Sequence, residues 1–354
     1  MNLQGIKKRI VKVLAYTTAS VLFLLISSLL ILQLPAVQRA LANRYLRGFS
    51  QIVGFKATIQ NINFSWFDRL ELAGVQIEDT EHNKMFDIGH ISLNYKFSNL
   101  VQGTNINLDA IYIDSARVFF TKIVEHDTVR NLNINVFINQ INKQYSSGKK
   151  SGGSSKINIG EAVIEKSQFT YDNTGRDSLT GFDYNHFSLK IDEAQLRNFM
   201  ALGDTVEFNV STLVAQDQKT KFSIHNLSSF FRISQKALEF RDVHLQAGKS
   251  IISDTLVFNY QSQADLSDFV NKVNIQAHFD KTIIHPADLA LFAPAARRLT
   301  VPLTLSGIFK GSVSDFRLKD MEIQSGNTLL VGSIDMEGLP DLKETFIQLS
   351  LKNS

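Results

Sequence analysis

The stretch Ile91-Ser92-Leu93-Asn94-Tyr95-Lys96-Phe97 alternates an apolar residue with a polar one at every step. Successive side chains of an extended chain point to opposite faces, so this pattern predicts a strand with one apolar and one wet face. The same reading extends outward. Towards the N-terminus, Leu70 and Leu72, then Val75 and Ile77, flank Gly74, which reads as a bulge or bend. Towards the C-terminus come Ile106, Leu108, Ile111, Ile113, Val118 and Phe120. Farther on, Phe187, Leu189 and Ile191 alternate, as do Val206, Phe208 and Val210, then Leu256 and Phe258, Leu303 and Leu305, and finally Ile347, Leu349 and Leu351. The residues between them are mostly Asn, Asp, Lys, Ser and Gln, as in antiparallel sheets with short turns.

The strands recur roughly every ten to fifteen residues, which suggests an array rather than a compact sandwich. No long helical pattern separates them, so a parallel βαβ architecture is not expected. The fold class predicted from residue 60 onwards is therefore mostly β, an elongated antiparallel sheet with a few short helices. Periodicity alone does not decide whether a second sheet closes the apolar face or whether that face lines a groove. Composition agrees: 26 of 354 residues are Phe, only 5 are Pro, and 44% are hydrophobic. The absence of Cys excludes disulfides, thiolate metal sites and Cys nucleophiles.

Two segments interrupt the pattern. Ser146–Lys156 (SSGKKSGGSSK) reads as a flexible, exposed loop. Just before it, Ile134, Phe137, Ile138 and Ile141 fit a helix, while Leu132, Ile134, Val136 and Ile138 fit a strand; the helix is the preferred reading. In His285–Arg298, Pro286 suits a first turn and Asp288 suits the positive end of the dipole. Leu289, Leu291 and Phe292 follow before Pro294, predicting a short helix that caps or plugs the sheet.

The N-terminal end differs in kind. Val13–Leu34 is uncharged, and at about 1.5 Å per residue it is long enough to cross a hydrocarbon core of about 30 Å. A cleaved signal peptide is the rival reading, and Ala40-Leu41-Ala42 resembles its cleavage site. The apolar run exceeds the roughly 7–15 residues of such peptides and Arg39 falls in the cleavage region, so an uncleaved signal anchor is expected. Lys7, Lys8, Arg9 and Lys12 precede the run, which places the N-terminus in the cytoplasm and the body outside. Pro35–Phe49 reads as an amphipathic collar helix whose Arg39, Arg44 and Arg47 would meet anionic headgroups; a solvated helix leading into the first strand is the alternative.

Met1–Phe67 holds eight basic residues and no acidic one; subtracting them from the net +3 leaves −5 for the remainder. A phosphate-binding surface needs a basic stripe on the folded part, so nucleic acid is not an expected partner. The eight histidines show no His-x-His or His-x-x-x-His spacing, so no metal site is expected. Gly248-Lys249-Ser250 matches the end of a phosphate-binding loop, but Val243 stands where that motif requires Gly. The acid pairs Glu78/Asp79 and Asp192/Glu193 close alternating runs, where solvated turn residues are the ordinary reading. No cofactor and no enzymatic activity are expected.

The anchor, the collar ending near Gly54-Phe55, Phe64-Ser65-Trp66-Phe67 and the run Leu70–Asp79 together resemble the N-terminal part of AsmA-like proteins. Within that group the resemblance is to the TamB family, the inner-membrane component of the translocation and assembly module of Gram-negative bacteria, in its Bacteroidetes-like versions. Asp183–Leu189, Ile284–Pro294 and Leu305–Asp320 carry it along the chain. The resemblance implies a sheet curled into a trough that bridges the periplasm, with phospholipid moving between inner and outer membranes along its apolar interior. Assistance to outer-membrane protein assembly by strand addition is the alternative it implies, through a barrel partner engaged by a long C-terminal β region that this sequence lacks. The organisation expected is a cytoplasmic segment (1–12), an anchor (13–34), a collar and lead-in (35–59), a first β segment (60–145), the loop (146–156) and the continuing groove (157–354). The residues expected to line it are Leu70, Leu72, Ile91, Leu93 and Tyr95, then Ile111, Ile113, Val118 and Phe120, and farther along Leu189, Phe208, Phe258 and Leu305.

Overall fold

A computed structural model describes residues 20, 22–24, 27–28, 30–31, 33–65, 68–96, 98, 105–125, 129–146, 156–292, 294–339 and 344–352. The first strands are β1 (Lys56–Ser65), β2 (Arg69–Glu78), β3 (Lys84–Asn94), β4 (Ile106–Glu125) and the short β5 (Val129–Leu132). They are followed by β6 (Lys156–Asp172), β7 (His186–Leu202), β8 (Thr205–Asp217), β9 (Ser223–Ile233), β10 (Ala237–Ala247) and β11 (Ser250–Asn259). The last are β12 (Asn274–Ile284), β13 (Leu303–Gly311), β14 (Asp315–Ser325), β15 (Thr328–Glu337) and β16 (Phe346–Leu351). Each pairs with its neighbour in sequence to form one open, curled sheet, except that β5 pairs only with β4 and β6 takes the next place in the path. No second sheet covers it among the described residues.

The expectation of a wholly antiparallel sheet needs one correction, because β4 and β6 run parallel. Parallel neighbours require a crossover of roughly a dozen residues or more. Here β5 and the helix α1 (Asn133–Ser146) return the chain to the starting end. That helix occupies the segment whose periodicity fits both helix and strand; of the strand alternative only Leu132 lies in a strand, as the last residue of β5. The loop residues 147–155 lie outside the described residues, and Lys156 opens β6.

Alternation in the sequence slips out of phase at intervals, and the backbone shows why. Gly74 (φ 63°), Ser115 (58°), Lys166 (47°), Asn198 (55°), Asp242 (51°), Lys281 (50°) and Asp320 (47°) adopt left-handed conformations in mid-strand. Each lets the chain turn one residue, so that Leu70 and Leu72 share a face with Val75 and Ile77, as Ile111 and Ile113 do with Val118 and Phe120. By the register of the flanking pairs, Gly74 faces Gly89, Gly89 faces Ser115, and Ser115 lies beside Lys166. Pairing stays in register across Gly74, Ser115 and Lys166, so these aligned kinks crease the sheet along one line, whereas Asn198, Asp242, Lys281 and Asp320 stand at register shifts, where a bulge bends the strand. The residues that follow these kinks and bulges, Ala116, Ser167, Val243, Thr282 and Met321, are buried.

Kinks and bulges leave backbone groups without ladder partners, and small polar side chains meet them. The Ala116 N–H donates to Ser167 Oγ (3.0 Å), Ser229 Oγ donates to the Arg241 carbonyl (3.0 Å), and the Lys281 N–H donates to Ser306 Oγ (3.0 Å). On the wet face, cross-strand ion pairs such as Lys56–Glu78 and Arg117–Asp87 run between neighbours, and Arg232 reaches both Glu207 and Glu239. Exposed pairs of this kind contribute about 0–1 kcal/mol each and act mainly to keep that face in water.

A longer helix, α2 (Pro35–Val53), runs along the outer edge of β1 and ends at Gly54 in the left-handed conformation (φ 77°). It extends beyond the predicted collar, Pro35–Phe49, by one turn. The buried Gln38 side chain accepts the Phe64 N–H (2.9 Å) and donates to the Phe64 carbonyl (3.1 Å), replacing a missing neighbour strand. The Ala57 N–H donates to Ser50 Oγ (3.0 Å) on the same edge. Val53, Phe55, Met85 and Val136 bury one another where α1 and α2 meet β2 and β3. Of the predicted anchor, Val13–Leu34, 12 of 22 residues fall outside the described residues, and the cytoplasmic segment 1–12 lies wholly outside them. Among the described residues no helix is long and apolar enough to cross a membrane.

Candidate functional site: an apolar trough

Strand register places the apolar residues in rows that cross the strands. Leu70, Leu93, Ile111, Ala162, Leu196 and Val210 follow one another from β2 to β8. Leu72, Ile91, Ile113, Ile164, Ala194 and Leu213 form the adjacent row. The longest row begins at Phe208 and passes through Phe231, Phe240, Leu256, Ala277, Phe309, Leu318 and Ile334 to Leu349 in β16. Side chains directly opposite on neighbouring strands are close enough to pack, so each row is a continuous apolar path.

Aromatic rings reinforce these rows. Phe199, Phe208, Phe231, Phe240, Phe258 and Phe269 form a chain with centroid separations of 6.0, 4.6, 5.3, 6.1 and 5.5 Å. A second chain joins Phe86 to Phe120 (6.2 Å), Phe169 (5.2 Å) and Phe187 (5.9 Å). In a closed sandwich such rings would be fully buried; here Phe269 is exposed and the others remain half-buried. Twelve of the thirteen predicted lining residues are half-buried on the apolar face. Tyr95 differs: it lies beyond the end of β3, is buried, stacks on Phe64 (6.2 Å) and donates its hydroxyl to the Ser65 carbonyl. Val118 and Phe120 lie on the side of the crease covered by α1, whose Phe137 ring meets Phe86 at 6.5 Å. Leu93 and Ile113 lie on the other side.

Two helical segments lean over the trough from opposite ends of the strands. At one end are a 3-10 turn, Gln263–Asp268, and the single helical turn α3, Phe269–Lys272, which brings Phe269 onto Phe258. At the other is α4, Pro286–Phe292, in the segment predicted to cap or plug the sheet, followed by a 3-10 turn over Pro294–Arg298. The Phe292 ring meets Phe182 (5.3 Å) and Phe222 (5.7 Å). Beneath α4, facing β7 to β11, lies a cleft of about 380 Å³.

The α4 end of the trough is fastened by carboxylates. Asp79 accepts the Glu81 and Asn83 N–H groups, and the Asn133 side chain donates to it at 3.4 Å. Burial opposes the charge of Asp183, yet the Lys219 ammonium and the N–H groups of Leu179, Asn185 and His186 outweigh it and hold the carboxyl well below the usual range. Beside the register shifts the balance reverses for Asp254. Burial pushes its carboxyl above the usual range despite donors from Thr282 and the Asp280 backbone, and its Oδ2 has no hydrogen-bond partner.

Sequence reasoning missed three features. Asp192 and Glu193 are not turn residues; they sit within β7 where its register against β8 shifts. Arg39, exposed like Arg44 and Arg47, is also tied to the sheet edge, its guanidinium donating to Asn61 Oδ1 (2.6 Å). Asp254 and Thr282 carry no local motif; only the register places them together. No family model matches the chain, and no curated protein matches it.

Proposed function

We propose that this protein is an envelope lipid carrier of the AsmA-like/TamB type, in which phospholipid moves between inner and outer membranes along the apolar trough. The 13–34 segment anchors it in the inner membrane with the N-terminus in the cytoplasm and the body in the periplasm. Arg44 and Arg47 on the exposed side of α2 would lie at the headgroup level. One observation carries the reading: apolar rows cross the sheet from β2 to β16, most of their residues half-buried, with no second sheet over them among the described residues. An acyl chain on such a path avoids exposing about 0.8 kcal/mol per CH₂ to water. No single residue performs chemistry, and no cofactor is invoked.

Photoreactive amino acids placed at Leu93, Ile113 and Phe120 in intact cells test the proposal directly. Phospholipid is expected on the crosslinked protein from Leu93 and Ile113, with less from Phe120 on the helix-covered side. Recovery of no lipid from any of the three would remove the carrier reading.

A second reading rests on β16, whose six residues are all exposed and whose outer edge pairs with nothing among the described residues. An open edge is a template for strand addition, which suits an assembly factor for outer-membrane proteins. In that case a β-barrel partner would be recovered in pull-downs, and charged substitutions inside the trough would leave function intact.

A further inference from the structure

A helix that merely rests on a sheet needs no special accommodation, but α4 has it at both ends. Near its first turn, Asp288 Oδ2 accepts the Lys249 N–H and the Ser250 hydroxyl, both at 2.7 Å. The same Ser250 oxygen accepts the His285 N–H at 2.9 Å. Gly248, at φ +55°, makes room for this latch: a Cβ there would stand 2.2 Å from Asp288 Oδ1. At the other end, the Leu291 carbonyl accepts the Phe182 N–H at 2.9 Å. Gly181, at φ +85°, makes that approach possible, since a Cβ there would stand 2.3 Å from the same carbonyl oxygen. Left-handed backbone with a blocked Cβ position is tolerated by glycine alone. The segment before β7, the turn before β11 and α4 are therefore shaped to one another across the apolar face.

The cleft under this arrangement is lined chiefly by Phe182, Leu189, Phe222, Leu245, Ile252 and Leu289. An enclosed apolar cavity of about 150 Å³ lined by Leu, Ile and Phe accepts hydrocarbon guests; this cleft, open on one side, offers about 380 Å³ with a similar lining. Its two carboxylates are tied to turns. Asp288 holds the latch, and Asp217 Oδ2 accepts the Thr220 N–H and hydroxyl at 2.7 and 2.6 Å. The remaining oxygen, Asp217 Oδ1, is buried without a partner. It disfavours an anionic headgroup in the cleft, and the apolar lining fits a hydrocarbon chain.

We infer that α4 is a clasp holding one lipid alkyl chain in this cleft, and that movement beyond β11 requires release of the Asp288 latch. The inference rests on the trough carrying lipid. It assigns that path a binding position and a gate.

The test uses the full chain with phosphatidylcholine vesicles that include a phosphatidylcholine bearing a diazirine on its acyl chain. Irradiation followed by peptide mass spectrometry maps where the chain lies. Label is expected to concentrate on the peptides of β9 to β11 and on α4. Leu289→Glu is expected to lower that label at least about five-fold, by placing a charge against hydrocarbon, while label at Ile91–Ile113 persists. Asp288→Ala is expected to shift label towards Ile323 and Ile334, whereas Asp288→Asn, which keeps an acceptor at the latch, retains the native distribution. Thermal midpoints confirm that each variant is folded. Label beneath α4 that ignores Leu289→Glu, or label spread evenly over the apolar face, overturns the clasp. Label on β2 to β4 with none under α4 overturns the clasp but leaves the carrier reading; label nowhere in the trough removes both.

Discussion

Two buried carboxylates with opposite shifts show how local surroundings decide what an Asp does. Asp183 ties down the segment before β7 through three backbone N–H groups and Lys219. Its folded value lies below its unfolded one, so its stabilisation is complete above the ordinary carboxylate range near pH 4 and is lost as pH falls below it. Asp183→Ala leaves these donors unmet and is expected to cost about 1–3 kcal/mol at neutral pH. In chemical denaturation, that difference from the native protein should shrink towards pH 3. Asp254 has the reverse sign. Its folded value is raised, so its contribution is full below the ordinary range and is lost as pH rises above it. Asp254→Asn is therefore expected to match or exceed the native stability at pH 7 and to lose that advantage near pH 4; a deficit at pH 7 that does not change with pH would contradict the argument.

At the scale of the element, the bulged strand is the repeating device. Asp242, Lys281 and Asp320 hold the left-handed position in β10, β12 and β14, each ahead of a buried Val243, Thr282 or Met321. Asp tolerates that conformation better than Lys, and a β-branched residue tolerates it least. Lys281→Val is expected to lose about 1–2 kcal/mol while Lys281→Asn stays near neutral, measured by equilibrium unfolding. The edge of β1 poses a different problem, since an unpaired strand exposes its ladder groups. Gln38 meets both groups of Phe64, and Gln38→Ala is expected to cost about 1–3 kcal/mol and to raise amide exchange at Phe64. The alternation of these strands was legible in the sequence, and so was the break at Gly74. The other breaks were not, because Ser, Lys, Asn and Asp in a strand are ordinary solvent-face residues until the register shows them at φ near +50°.

For the whole molecule, the exposed area measures how open it is. The chain exposes 22567 Å², against roughly 14,000 Å² for a compact monomer of this length. On the proposed reading, lipid covers the apolar part of this surface. Continuity is the property that separates a conduit from a set of patches. Phe231 stands near the start of the longest row, between the β4 and β15 positions to be probed, so Phe231→Glu interrupts the path between them. In intact cells, phospholipid capture from Ile113 should persist in this variant while capture from Ile334 falls. Equal capture at both positions would show that lipid does not travel along the row.

The alternation around Ile91–Phe97 by itself determined that the chain is built from amphipathic strands, because side-chain direction along an extended backbone has a period of two whatever the partners are. The short helix at residues 286–292 was also readable, from Pro and Asp at its start. Tertiary structure alone decided the rest: the parallel step between β4 and β6, the alignment of kinks into a crease, the exposure of the apolar face and the fastening of α4 through Gly181 and Gly248. These depend on which strand lies beside which, and register between segments far apart in the chain is set by packing and hydrogen bonding that no local pattern encodes.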